Sequence, residues 1–113
     1  MDHTLANLQA LHYAAARGVH VEMSDGATWA TTVANGSIHV PANTLGDGAG
    51  RVKLSVFALS DVCRGVTIRG TKYRVEDVEL TNAFPLGVSN EFAGEGAEVS
   101  VELGTLLVTL CRE

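Results

Sequence analysis

Hydrophobic residues change their period once along this chain. From Asp2 to Arg17, Leu5, Leu8, Leu11 and Ala15 recur at three-to-four spacing, which is the stripe of an amphipathic helix. Asp2 is suited to cap or charge its first turn, and Gly18 suits the left-handed position just beyond its end. From Val19 onward the period is two: Val19/Val21/Met23, Trp29/Thr31/Val33, Ile38/Val40, Val52/Leu54/Val56, Val66/Ile68, Val78/Leu80, Val99/Val101/Leu103 and Leu106/Val108/Leu110. Alternation of this kind marks half-buried strands. Turn signals separate them at Ser24-Asp25-Gly26, Asn35-Gly36, Gly46-Asp47-Gly48, Arg69-Gly70, Gly94-Glu95-Gly96 and Gly104. About eight to ten short strands without β-α-β alternation predict a mainly β fold, an antiparallel, jelly-roll-like sandwich preceded by one N-terminal helix.

Composition narrows the classes of function. A chain of 113 residues with 46% apolar content is one domain's worth of sequence with enough material for a core. Its formal net charge of −5 comes with only Lys53 and Lys72 beside scattered arginines. No basic stripe exists to track phosphates, so a nucleic-acid partner is not expected. No apolar run approaches the ~20 residues that cross a bilayer, and no signal-peptide pattern opens the chain. A cytoplasmic protein without a membrane partner is expected. Cys63 and Cys111 have no CxxC spacing and are read as reduced thiols, packed or half-exposed.

Several features mimic chemistry. The stretch Gly46-Asp47-Gly48-Ala49-Gly50 precedes a strand pattern and not a helix, so it is read as a hairpin connection and not as a phosphate loop. His12, His20 and His39 stand apart from one another and from acidic clusters, and Asp47, Glu76, Asp77 and Glu79 read as a solvated face. Trp29 is assigned to the core.

Three stretches carry more. Asp2 and His3 occupy the first helical turn with Asn7 one turn below His3; the helix's positive end favours an ionised Asp2, able to hold a cation or accept a proton, although spacing alone favours simple capping. In Arg69-Gly70-Thr71-Lys72-Tyr73, Gly70 permits an abrupt turn that delivers Tyr73 beside Lys72, as an ordinary hairpin also would. In Leu86-Gly87-Val88-Ser89-Asn90-Glu91-Phe92, the Ser89-Asn90 pair interrupts an apolar run, suiting either hydrogen bonds to a flat heterocycle or a tight turn.

Taken in order, these stretches resemble the thiamine pyrophosphokinases. Asp2-His3-Thr4-Leu5-Ala6-Asn7 is similar to that family's DHxxAN helix start. The run from Val66 to Val108 is similar to its C-terminal, vitamin-B1-binding segment: a G-x-K-Y turn, L-G-[IV]-S-N-E-F, a Gly-acid-Gly hairpin, an E-V-S-V-E strand and a closing apolar strand. The likeness is loosest between Thr28 and Ala49, and Asn82-Ala83-Phe84-Pro85 departs from the Phe-Gly-Ser-like run of relatives.

The resemblance implies that residues 1–25 are a helix and strand left over from an N-terminal α/β catalytic domain, and that 26–113 form the thiamine-binding sandwich. It implies a reaction in which the pyrophosphoryl group of ATP passes to the hydroxyethyl oxygen of thiamine, giving thiamine diphosphate and AMP, with Mg²⁺ as cofactor. Asp2 takes the catalytic acidic role and is the Mg²⁺ candidate. Tyr73, Gly87, Ser89 and Asn90 form the thiamine surface, with Ser89 and Asn90 on the aminopyrimidine and Val88 shaping the approach. His3, Asn7 and Lys72 support. The resemblance further implies a homodimer formed through the sandwich, and ATP held by a preceding α/β domain that this chain has lost or was cut from, so that the fragment alone is inactive. The alternative, of a different class, is a stand-alone dimeric β-sandwich that binds a small molecule or a partner without catalysis.

Overall fold

Alternation of the kind described above can bury one side of a sheet only if a second sheet covers it, and that is the arrangement found. The computed structural model describes residues 22–24, 27–46, 51–81 and 88–112. Within them lie nine strands: β1 (Glu22–Ser24), β2 (Thr28–Ala34), β3 (Ser37–Pro41), β4 (Val52–Ala58), β5 (Val62–Arg69), β6 (Val75–Thr81), β7 (Val88–Glu91), β8 (Gly96–Ser100) and β9 (Thr105–Arg112). They form a five-stranded sheet in the order β1-β2-β9-β4-β7 and a four-stranded sheet in the order β3-β8-β5-β6, every pairing antiparallel. The expected sandwich is present. The expected helix from Asp2 to Arg17 lies outside the described residues.

The core fills the space between the sheets. Leu54 and Val56 of β4 and Leu106, Val108 and Leu110 of β9 face Val40, Val66, Ile68, Ala97 and Val99 of the other sheet, all fully buried. Each such side chain contributes about 1.5–3 kcal/mol relative to exposure. Trp29 closes one end of this cluster, as its place in the alternation of β2 requires. A smaller cluster lies on the opposite side of the five-stranded sheet, where Ala30 and Leu107 are buried with Phe57 and Leu59 packed against them. Both faces of β2 and β9 are therefore shielded, which explains why β2 is buried from Trp29 through Val33 with no alternation in exposure.

Connectivity corrects the expected hairpins. Only β1–β2 and β5–β6 are consecutive strands paired with each other; every other pair of consecutive strands divides between the two sheets. The link from β3 to β4 is thus not the hairpin expected at Gly46–Gly50, and Gly94-Glu95-Gly96 joins β7 of one sheet to β8 of the other. Period-two patterning fixes which residues are buried but not which strand lies alongside, so consecutive runs separated by Gly-rich turns mimic hairpins. The sheet-switching corners are held to one another instead. At the β2–β3 corner Asn35 takes a left-handed φ of 47°; its N–H donates to the Gly104 carbonyl (3.0 Å) and its Oδ1 accepts from the Gly104 N–H (2.8 Å) at the β8–β9 corner.

The outer face of the four-stranded sheet is a row of charges. His39 Nδ1 and Glu98 Oε1 are 2.7 Å apart across directly opposed strands, Arg69 stands opposite Glu98 on the next strand, and Glu76 meets both Arg69 (3.7 Å) and Arg74 (2.8 Å). His39, expected to stand apart from carboxylates, is paired with one that lies far away in sequence. These exposed pairs are each worth ~0–1 kcal/mol and mark a solvated surface. Glu76, Asp77 and Glu79 are exposed, as expected.

Candidate functional site

The third stretch singled out in the sequence is not a break but a strand. β7 runs through Ser89 and Asn90, pairing residue by residue with β4: Leu54 opposite Asn90 and Ser55 opposite Ser89. Cross-strand partners share a face and neighbours alternate. Asn90 therefore points with Leu54 toward the core, 2% exposed, while Ser89 lies on the outer face and is exposed. The pleat separates two side chains that adjacency in the sequence had grouped around one ligand.

A buried amide needs partners, and Asn90 has them. Its Oδ1 accepts from the Tyr73 N–H (2.9 Å) and from the Glu91 N–H (3.0 Å), and its Nδ2 donates to the Tyr73 carbonyl (2.6 Å). The second bond to that carbonyl comes from the Thr71 hydroxyl at 3.0 Å. This polar set is closed, and no buried side-chain nitrogen or oxygen among the described residues lacks a partner.

The turn that carries Tyr73 lies along the end of β7. The Lys72 N–H donates to the Glu91 carbonyl (2.9 Å), the Ala93 N–H to the Gly70 carbonyl (3.1 Å), and Thr71 bridges Phe92. Gly70 lets the turn leave β5 close against β8 of the same sheet. Its φ is +78°, and a Cβ there would run into the backbone carbonyl oxygen of Gly96. The β5–β6 hairpin expected from Arg69-Gly70 is thus also the seam between the two sheets.

What this turn presents to solvent is Tyr73, 59% exposed. The Lys72 Nζ sits 5.4 Å from the centre of its ring, and the same ammonium is 3.9 Å from Glu91 Oε2. Arg51 reaches Glu91 Oε1 at 3.7 Å. Glu91 is two residues from Ser89 and so on the same face, roughly 7 Å along the strand. Exposed Ser89, half-buried Glu91 and exposed Lys72 and Tyr73 thus follow one another along this edge. This brings three of the sequence candidates, Tyr73, Lys72 and Ser89, to one edge of the molecule. The Lys72 ammonium thus stands between the Tyr73 ring and the Glu91 carboxylate.

Asp2, His3, Asn7 and Gly87, and the divergent Asn82–Pro85 run, lie outside the described residues. Among the described residues no group of His, Cys, Asp and Glu could hold a metal ion, so they offer no Mg²⁺ site. No helix among them is long and apolar enough to cross a membrane. Sequence reasoning passed over Glu91, Arg51 and Thr71. Glu91 was findable, since a strand through Ser89 puts i+2 on the same face; Arg51 and Thr71 needed the register of β4 against β7 and the path of the turn.

Residues 38–107, which include this whole surface, match the family model of the thiamin pyrophosphokinase vitamin B1 binding domain. The chain belongs to the thiamin pyrophosphokinase family. Its fold is that of thiamine pyrophosphokinase from Bacillus subtilis (TM-score 0.82, 20% identity, covering 99% of this chain and 50% of that one). It is likewise similar to the Geobacillus thermodenitrificans enzyme (0.81, 22% identity, 99% and 49%) and to a thiamin pyrophosphokinase family protein from Enterococcus faecalis (0.76, 26% identity, 99% and 50%). The chain spans about half the length of these family members. The sequence matches no curated protein.

Proposed function

We propose that this chain supplies the vitamin-recognising and dimerising part of a thiamine pyrophosphokinase, the enzyme that moves the pyrophosphoryl group of ATP onto the hydroxyethyl oxygen of thiamine, leaving AMP. The observation that carries the reading is the vitamin B1 binding family match over residues 38–107, within which the Tyr73–Ser89 surface lies.

In this reading the exposed Tyr73 ring gives thiamine a flat partner, and the Ser89 hydroxyl, free to rotate, donates to or accepts from the aminopyrimidine. The positive thiazolium ring would approach a tyrosine face already facing Lys72, so it takes the other face or displaces the ammonium toward Glu91. Glu91, 34% exposed at its side chain, is the counter-charge available for either cation. Gly87 shapes the approach. The acid–base role on the alcohol stays with Asp2. Mg²⁺ would spread phosphoryl charge in such a transfer; the described residues do not fit an Mg²⁺ site, so the ion is assigned to Asp2 and, with ATP, to the nucleotide-binding part that the resemblance implies. The protein acts in the cytoplasm as a homodimer.

Calorimetric titration of the 113-residue chain with thiamine tests the reading. Saturable binding that Tyr73→Ala weakens about tenfold or more is expected, with no thiamine diphosphate formed by this chain alone from ATP, Mg²⁺ and thiamine. A folded chain that ignores thiamine, or a Tyr73→Ala variant that binds it as well, would overturn the reading.

A further inference from the structure

Of the side chains at the candidate surface, the one most committed to other groups is Asn90. We infer that Asn90 is a positioning residue: its buried amide grips both peptide groups of Tyr73 and so fixes where the tyrosine ring stands, without itself touching the ligand. The ligand in question is the flat heterocyclic cation of the function proposed above, so the inference rests on that reading.

A primary amide offers one acceptor oxygen and two N–H donors. Here the oxygen already serves two N–H groups, those of Tyr73 and Glu91, and one N–H serves the Tyr73 carbonyl. The orientation is not interchangeable. Turning the amide over would set its NH₂ against two backbone N–H donors and its oxygen against a carbonyl. With the residue 2% exposed, the remaining N–H has no route to a ligand on the surface.

The contact with Tyr73 has the form of a strand pair. Asn90 accepts from the N–H and donates to the C=O of the same residue, as a neighbouring strand's peptide does in an antiparallel ladder. The side chain thus extends the five-stranded sheet by one rung beyond its edge strand β7 and hangs the turn on it. Thr71 adds a second bond to the Tyr73 carbonyl, and Lys72 pairs with Glu91. The result is a rigid backbone under a side chain that is mostly in solvent. An exposed ring on a floating turn would have to be ordered by the ligand; here the order exists beforehand, and the ligand's binding energy is not spent on it.

Two readouts separate positioning from contact. In the unmutated chain, hydrogen exchange followed by NMR should find the Tyr73 amide protected to the level of the β4–β7 ladder amides, despite its exposed side chain; exchange as fast as in an unpaired loop would overturn the clamp. A double-mutant cycle with thiamine as the probe then tests the route of action. Asn90→Ala should weaken thiamine binding about tenfold, yet change it less than about twofold when Tyr73 is already alanine, because its effect passes through the ring. Equal losses in both backgrounds would mean that Asn90 meets the ligand directly, and would overturn the proposal. Should Asn90→Ala not fold, Thr71→Val removes the hydroxyl bond to the same Tyr73 carbonyl and leaves Asn90 in place; affinity should then fall in the Tyr73 background alone, and equal losses with and without the ring would overturn the proposal. Absence of thiamine binding by the unmutated chain would sink the functional reading instead, and slow exchange at Tyr73 would still establish the clamp.

Discussion

Replacing Gly70 by alanine should be among the most damaging single-methyl additions in the chain, and two other glycines allow its cost to be taken apart. Gly94 has neither a positive φ nor any atom within 4 Å of a would-be Cβ; Gly46 has φ +79° but open space; Gly70 has φ +78° and a carbonyl oxygen of Gly96 in the way. Gly94→Ala should stay within ~0.5 kcal/mol of the parent, or gain slightly as the unfolded chain loses freedom. Gly46→Ala should cost about 1–2 kcal/mol for a side chain forced into the left-handed region. Gly70→Ala should add to that a backbone collision, which cannot relax by a rotamer change, for a total of about 2–5 kcal/mol. At ~4 °C per kcal/mol for a domain near this size, the melting temperature should fall by roughly 8–20 °C. Urea unfolding of the three variants gives the differences directly, at constant m-value. If Gly70→Ala lost no more than Gly46→Ala, the close approach of the Gly70 backbone to Gly96 of β8 would be refuted.

Other outcomes follow from the packing. Cys63 is fully buried and Cys111 exposed, so a thiol reagent should titrate one group quickly in the native chain and the second only on unfolding. Leu54→Ala, which empties a site with no solvent exposure beside Asn90, should cost about 2–5 kcal/mol in urea unfolding. Tyr73→Ala should leave stability within about 1 kcal/mol, because its ring is mostly in solvent, while weakening thiamine binding about tenfold. Glu98→Gln should change stability by less than ~1 kcal/mol, since its partner His39 is as exposed as it is; a larger loss would mean that this charged face is covered by something.

Much of the sandwich was legible because alternation has a physical cause that acts locally: Trp29, Thr31 and Val33, or Leu106, Val108 and Leu110, can only be buried together if the chain is extended. What alternation does not encode is which strand lies alongside. The Gly94-Glu95-Gly96 turn looks alike whether it closes a hairpin or crosses to the other sheet, and only the pairing of β7 with β4 and of β8 with β3 and β5 tells them apart. β7 itself was hidden by its polar pair. Ser89 is tolerated because it faces out at a sheet edge, and Asn90 because the Tyr73 turn, distant in sequence, satisfies its amide. The candidates Tyr73, Lys72 and Ser89 were recognised by motif and are brought to one surface; the roles of Glu91 and Thr71 depend on contacts that no local pattern announces.

If thiamine meets this protein as proposed, on the surface running from Ser89 through Glu91 and Lys72 to Tyr73, the contact is open to measurement in solution. Titrating the isotope-labelled chain with thiamine to about 10 mM, well above the millimolar affinities that still register, and following backbone amide shifts measures it most directly. Saturable shifts concentrated at Lys72, Tyr73, Ser89 and Glu91 are expected, with the ladder of His39, Glu98 and Arg69 unmoved. Shifts gathered on that charged face instead, or none anywhere at saturating thiamine, would contradict it.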